Sequence, residues 1–84
     1  MSEVIVYGAD WCGDCRRSEA LLKALKVDYE KKDVEQSAEF TEEARNISGR
    51  TNIPVILFPD GKYLVEPSDP ELHAELVVRG LISV

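Results

Sequence analysis

The chain has 84 residues, 44% hydrophobic and 31% charged, with 16 acidic side chains against 10 basic ones and a net charge of −6. That length holds one hydrophobic core, so a single domain over 1–84 is expected, and the acidity argues against a general nucleic-acid or anionic-membrane surface. No stretch approaches the roughly 20 apolar residues that span a bilayer, and Met1-Ser2-Glu3 carries no basic or cleavable apolar leader, so a reducing cytoplasm is the expected compartment.

The first apolar run, Val4-Ile5-Val6-Tyr7-Gly8, is short, β-branched and closed by glycine, as a buried strand is. Trp11-Cys12-Gly13-Asp14-Cys15 follows and holds both cysteines of the chain. Residues 13–26 place Leu21, Ala24 and Leu25 on one helical face with Leu22 beside them, which predicts the first helix. Val27-Asp28-Tyr29-Glu30-Lys31 alternates apolar and polar, the pattern of a half-exposed strand. Lys26, Lys31 and Lys32 read as solvent-facing charges.

Ser37 is placed to cap a second helix whose stripe is Ala38, Phe40, Ala44 and Ile47, ended by Gly49. Pro54-Val55-Ile56-Leu57-Phe58 is nearly continuous in its apolar character, the mark of a central strand buried on both faces. Asp60-Gly61 predicts a tight hairpin turn into Lys62-Tyr63-Leu64-Val65. Ser68 and Glu71 have capping-box spacing, with Pro70 early in a last helix that would pack on the sheet through Leu72, Leu76, Val77 and Leu81. The order is βαβαββα: two strands joined through a helix and hence parallel, then a hairpin. An α/β fold follows, a four-stranded mixed sheet flanked by three helices.

A strand that delivers Cys-x-x-Cys to the first turn of a helix is suited to thiol–disulfide exchange. Free N–H groups and the helix dipole favour a thiolate at Cys12, and Cys15 lies one turn further in, within reach of a mixed disulfide on Cys12. Arg16 and Arg17 work in the same direction, Asp10 and Asp14 against it. Gly13 keeps the approach to the sulfur uncrowded. Three other readings compete. A structural disulfide closing so short a loop would restrain the unfolded chain little. A closed zinc site needs about four ligands, and only the distant His73 could join the two cysteines. Two buried, inert thiols sit poorly beside charged Asp14, Arg16 and Arg17. Trp11 is expected to be partly exposed beside a sulfur that must reach solvent, and Tyr7 either lines the site or belongs to the core.

The strand leading into WCGDC, the Ile53-Pro54 opening of the central strand, and the terminal hairpin and helix together resemble the glutaredoxin branch of the thioredoxin fold over essentially the whole chain. With Phe58-Pro59-Asp60-Gly61 and Pro67-Ser68, the pattern is most similar to the mycoredoxin-type glutaredoxins of actinobacteria. The resemblance implies a thiol–disulfide oxidoreductase with Cys12 as exposed nucleophile and Cys15 as resolving thiol. It also implies a cis Ile53-Pro54 peptide facing the sulfurs, and thiol contacts from Trp11, Gly13, Ile53, Pro54, Ser68 and Asp69, the last two also fitting a plain helix cap. No bound cofactor and no metal are implied; the co-substrate would be a low-molecular-weight thiol, mycothiol or glutathione. Expected partners are disulfide-containing proteins and a reductase, with no nucleic acid or membrane, and the chain is expected to be a monomer.

The sequence departs from that pattern in two places. Asn52 stands where threonine is usual before the proline, and Ala9-Asp10 and Val65-Glu66-Pro67 replace the lysine and the Gly-Gly of glutathione-using relatives. Both favour mycothiol or a protein reductase over glutathione. Two alternatives keep the fold: a protein-disulfide reductase fed by thioredoxin reductase, like the electron donors of ribonucleotide reductase, and an iron–sulfur or metal carrier using Cys12 from two subunits.

Overall fold

A computed structural model describes residues 4–82. Seven elements follow one another: β1 (Val4–Gly8), α1 (Gly13–Ala24), β2 (Tyr29–Asp33), α2 (Ala38–Ser48), β3 (Val55–Leu57), β4 (Tyr63–Val65) and α3 (Asp69–Val78). The strands form one sheet in the order β2-β1-β3-β4. β1 runs parallel to β2 and antiparallel to β3, and β3 is antiparallel to β4. This is the mixed four-stranded, three-helix architecture that the βαβαββα order predicts.

Alternation along the two central strands builds a core on each face of the sheet. Val4 and Val6 of β1 and Ile56 of β3 pack with Leu22 of α1 and with Leu72 and Leu76 of α3 on one side. Tyr7 and Val55 pack with Ala44 of α2 on the other, where Ile5, Phe40, Ile47 and Leu57 add partly buried surface. The continuous apolar run around β3 is thus used on both faces. Complete burial of a side chain such as Leu22 contributes about 1.5–3 kcal/mol relative to exposure.

The ends of the elements follow local chemistry. Ser37 caps α2 by accepting the Glu39 N–H at 3.2 Å, and Gly49 ends it in the left-handed conformation at φ 73°. The capping box at α3 is complete: the Glu71 N–H donates to the Ser68 hydroxyl at 3.3 Å and the Ser68 N–H to the Glu71 carboxylate at 2.9 Å. In the β3–β4 connection the Asp60 carboxylate accepts the Lys62 N–H at 3.0 Å and Gly61 takes φ 90°.

Several expectations shift. Helix α1 ends at Ala24 rather than 26, because Leu25 caps it and Lys26 turns the chain at φ 59°. Val27, buried, donates its N–H to the Leu22 carbonyl at 2.9 Å, so β2 begins two residues later than the alternation implied. The buried face of α1 is Cys15, Ser18, Glu19 and Leu22, whereas Ala24 is exposed and Leu21 and Leu25 flank the core. Ala38 of α2 is exposed as well. In α3, Val77 is only half-buried, and Leu81 packs from beyond the helix end.

Lys31 and Lys32 are not plain surface charges. Lys32 pairs with Glu43 at 3.1 Å and lies over the Tyr7 and Phe40 rings at 5.6 and 5.5 Å. Lys31 bridges Asp10 and Glu19. Their amine ends reach carboxylates on other parts of the chain.

Candidate active site

At the carboxyl end of β1 the chain makes a third buried cluster, Ala9, Cys12 and Cys15, with Val34 and Ile53 packed against it. The Cys12 N–H donates to the Ala9 carbonyl at 3.1 Å, a turn that sets Cys12 at the head of α1. Cys12 is itself the N-cap residue: its backbone is extended, and its Sγ accepts the Cys15 N–H at 3.1 Å. A sulfur here replaces the oxygen that usually takes this position, and negative charge on it is met by one of the unpaired N–H groups of the first turn. The Cys12 thiol also points at the Ile53 carbonyl, 4.0 Å away, across the cis Ile53-Pro54 peptide. Both cysteines are free thiols.

The two thiols have different surroundings. Cys12 retains 8% of its surface, less than an exposed nucleophile was expected to show, because the N-cap position folds the sulfur over the helix end. Cys15 is fully buried beneath β1. The fit there is tight: a Cβ on Gly8 would stand 2.8 Å from the Cys15 Sγ, so only glycine lets the sulfur lie against the strand. Burial pushes the Cys15 thiol up to about 12; its hydrogen bond with Cys12 and the Glu19 charge add to this, and an Ala9 backbone contact opposes it.

Three chain segments line a groove at Cys12. The β1–α1 connection contributes Trp11, Cys12, Gly13 and Asp14, the approach to β3 contributes Thr51, Asn52 and Ile53, and the β4–α3 connection contributes Glu66. Trp11 is 69% exposed, in line with an aromatic that flanks the sulfur. A Cβ on Gly13 would meet no atom within 4 Å, so this side of the sulfur is open. Glu66 is a non-glycine residue at φ 50°, held there by its N–H to the Pro54 carbonyl at 2.9 Å.

Not every predicted residue joins this groove. Pro54 is buried at the start of β3. Ser68 is engaged in the capping box, and the Asp69 carboxylate faces Arg17 at 3.5 Å, so neither lines the groove beside Cys12. Arg17 also meets Asp14 at 3.1 Å and so ties the first turn of α1 to the start of α3. Tyr7 belongs to the core, where its hydroxyl donates to Glu43 at 2.8 Å. The hydrogen bond and the adjoining Lys32 hold the Glu43 carboxyl below its ordinary range. His73 is exposed.

Sequence reasoning missed the polar group beneath the helix. Glu19 is 7% exposed, accepts the Tyr29 hydroxyl at 3.0 Å and stands 3.4 Å from Lys31. Burial and this hydrogen bond push the Tyr29 phenol up to about 12. The one signal available was position: Glu19 follows Cys15 by four residues and shares its helical face. Among the described residues no group of three or more His, Cys, Asp or Glu is disposed to hold a metal, and no helix is long and apolar enough to cross a membrane.

Comparison with known proteins agrees with the geometry. The family model described as Glutaredoxin matches residues 4–64. Mycoredoxin 1 of Corynebacterium glutamicum is 33% identical over 78 residues, covering 90% of this chain and 95% of that protein. A glutaredoxin-like protein of Mycobacterium tuberculosis is 33% identical over 73 residues, covering 86% and 87%. The crystal structure of a glutaredoxin from Archaeoglobus fulgidus superposes with a TM-score of 0.77 at 29% identity, covering 88% of this chain and 85% of that one. With the thioredoxin-like sheet, the Cys-x-x-Cys at the head of α1 and these relatives in agreement, the chain belongs to the glutaredoxin family of thiol–disulfide oxidoreductases.

Proposed function

We propose that the chain reduces disulfides in two exchange steps, with Cys12 as the attacking sulfur and Cys15 as the resolving one. The observation that carries this reading is the N-cap geometry: the Cys12 Sγ lies 3.1 Å from the Cys15 N–H at the edge of an open groove, while Cys15 is sealed below. In the first step the Cys12 thiolate attacks one sulfur of a substrate disulfide; a Cys12–substrate disulfide forms and the other substrate sulfur leaves as a thiolate. Cys15 then loses its proton and attacks the Cys12 sulfur. The Cys12–Cys15 disulfide forms, the second substrate thiolate is released, and two electrons have passed to the substrate. The pair is restored by two equivalents of an external thiol or by a dithiol reductase.

Members of this family work with low-molecular-weight thiols, and the relation to mycoredoxin 1 supports mycothiol as the reductant of this chain in preference to glutathione. Disulfide-containing proteins are the substrates in this reading, with the chain acting as one domain over 1–84. The test is an NADPH-coupled assay on mixed disulfides of mycothiol and of glutathione, each with its own reductase. Turnover with the mycothiol substrate is expected to vanish in Cys12→Ser; in Cys15→Ser only the route in which free mycothiol attacks the Cys12 mixed disulfide should remain, and reduction of protein disulfides by the two thiols should be lost. Activity retained by Cys12→Ser would refute the assignment of the attacking sulfur. Silence with both thiols, together with reduction by thioredoxin reductase, would replace mycothiol with a protein reductase.

A further inference from the structure

The groove at Cys12 is charged on one side only. Among its described lining residues Asp14 and Glu66 are acidic and none is basic. The two arginines in the first turns of α1 are turned to other tasks. Arg17 is shared between Asp14 and Asp69, at 3.1 and 3.5 Å, and Arg16 lines a separate concavity with Asp10, Glu19 and Lys31. Glu66 has no ion pair among the described residues, whereas Asp14, the other acid of the groove, shares Arg17 with Asp69. It also occupies a left-handed backbone position, φ 50°, that glycine would fill without steric cost.

We propose that Glu66 is a specificity-determining residue that makes the groove discriminate, by charge, against thiols bearing carboxylates and in favour of uncharged or cationic ones. This rests on the reading of Cys12 as the attacking sulfur. The incoming thiol must settle along the groove as its sulfur joins Cys12. A carboxylate on it then meets the like charge of Glu66, an exposed side chain lining the same groove, and the repulsion between them is screened by salt. Thr51 and Asn52, on the approach to β3, are neutral polar residues and offer no charge to offset that repulsion.

The test uses 2-pyridyl disulfides of 3-mercaptopropionate, 2-mercaptoethanol and cysteamine, which carry one negative, no and one positive charge. Attack by Cys12 places the small thiol on the protein and releases pyridine-2-thione, read by its absorbance in stopped flow, with each rate normalised to that of a simple free thiol. The neutral-to-anionic rate ratio is expected to be about three- to tenfold at low ionic strength, the range for unit charges a few ångströms apart in water. It should fall toward one in Glu66→Gln and in high salt, and invert in Glu66→Lys. Glu30→Gln on the edge strand removes the same charge elsewhere and should keep the ratio. A ratio unchanged in Glu66→Gln, or one that Glu30→Gln lowers equally, overturns the proposal. The underlying reading fails in a separate way, if Cys12→Ser still releases pyridine-2-thione from all three reagents at the native rates.

Discussion

Cys12 and Cys15 share one helical turn and one buried cluster, yet their surroundings differ. Cys12 caps the helix at the edge of a groove, with open space over Gly13 and a backbone N–H at its sulfur. Cys15 has rotated under β1, where Gly8 leaves it just enough room and burial raises its thiol to about 12. The lesson is geometric. A three-residue step along a helix starting at its cap moves a side chain from the mouth of the site to the interior, so one motif supplies an accessible thiol and a protected one. The proposed division of roles rests on this difference in surroundings.

The sharpest way to break this comparison is to delete its accessible member. Cys12→Ser should abolish exchange with any disulfide, measured by stopped flow, whereas Cys15→Ser should keep the first step and lose the second. Attacking the buried member through its neighbour comes next. Gly8→Ala drives a methyl into the Cys15 sulfur and should cost about 1–3 kcal/mol in urea unfolding. It should also slow closure of the Cys12–Cys15 disulfide more than formation of the mixed disulfide. The raised Cys15 thiol gives a third test. The folded chain holds that proton more tightly than the unfolded one, so its stabilisation is complete below the ordinary thiol value of about 8.5 and is lost as pH rises toward 12. Between about pH 7 and pH 9.5, reduced protein should therefore lose about 1 kcal/mol relative to Cys15→Ser in urea titrations. The smallest effect is expected away from the sulfurs: Ser68→Ala removes a helix cap, costs about 1 kcal/mol and leaves both exchange steps intact.

Much of this arrangement was legible in the chain, and the limits have physical causes. The strand before Trp11-Cys12-Gly13-Asp14-Cys15, the Ser68–Glu71 capping box and the Gly49 stop are local signals, each fixed by neighbours within a few residues, and each appears where read. The offset of β2 was not legible, because Lys26 at positive φ turns the chain in a way that propensity disfavours and tertiary packing of Val27 imposes. Glu19 was read past because a carboxylate on a helix is ordinarily solvated; only Tyr29 and Lys31, distant in sequence, make its burial tolerable. The same reason hid the groove. Glu66 and Thr51 reach Cys12 through the fold of the β3–β4 hairpin, and Arg17 reaches Asp69 across two helices. Ser68 and Asp69, which the family pattern suggests as thiol contacts and the sequence also reads as a helix cap, meet the helix start and Arg17.

If one turn of helix divides the two thiols into an accessible nucleophile and a sealed partner, their reactivities should separate. Reduced protein would be pulsed with iodoacetamide at pH 7 and digested, and the modified cysteine quantified by mass spectrometry at successive times. Cys12 should be alkylated first, with Cys15 modified only under conditions that unfold the chain. Alkylation of Cys15 in the folded protein at a rate equal to that of Cys12 would contradict it.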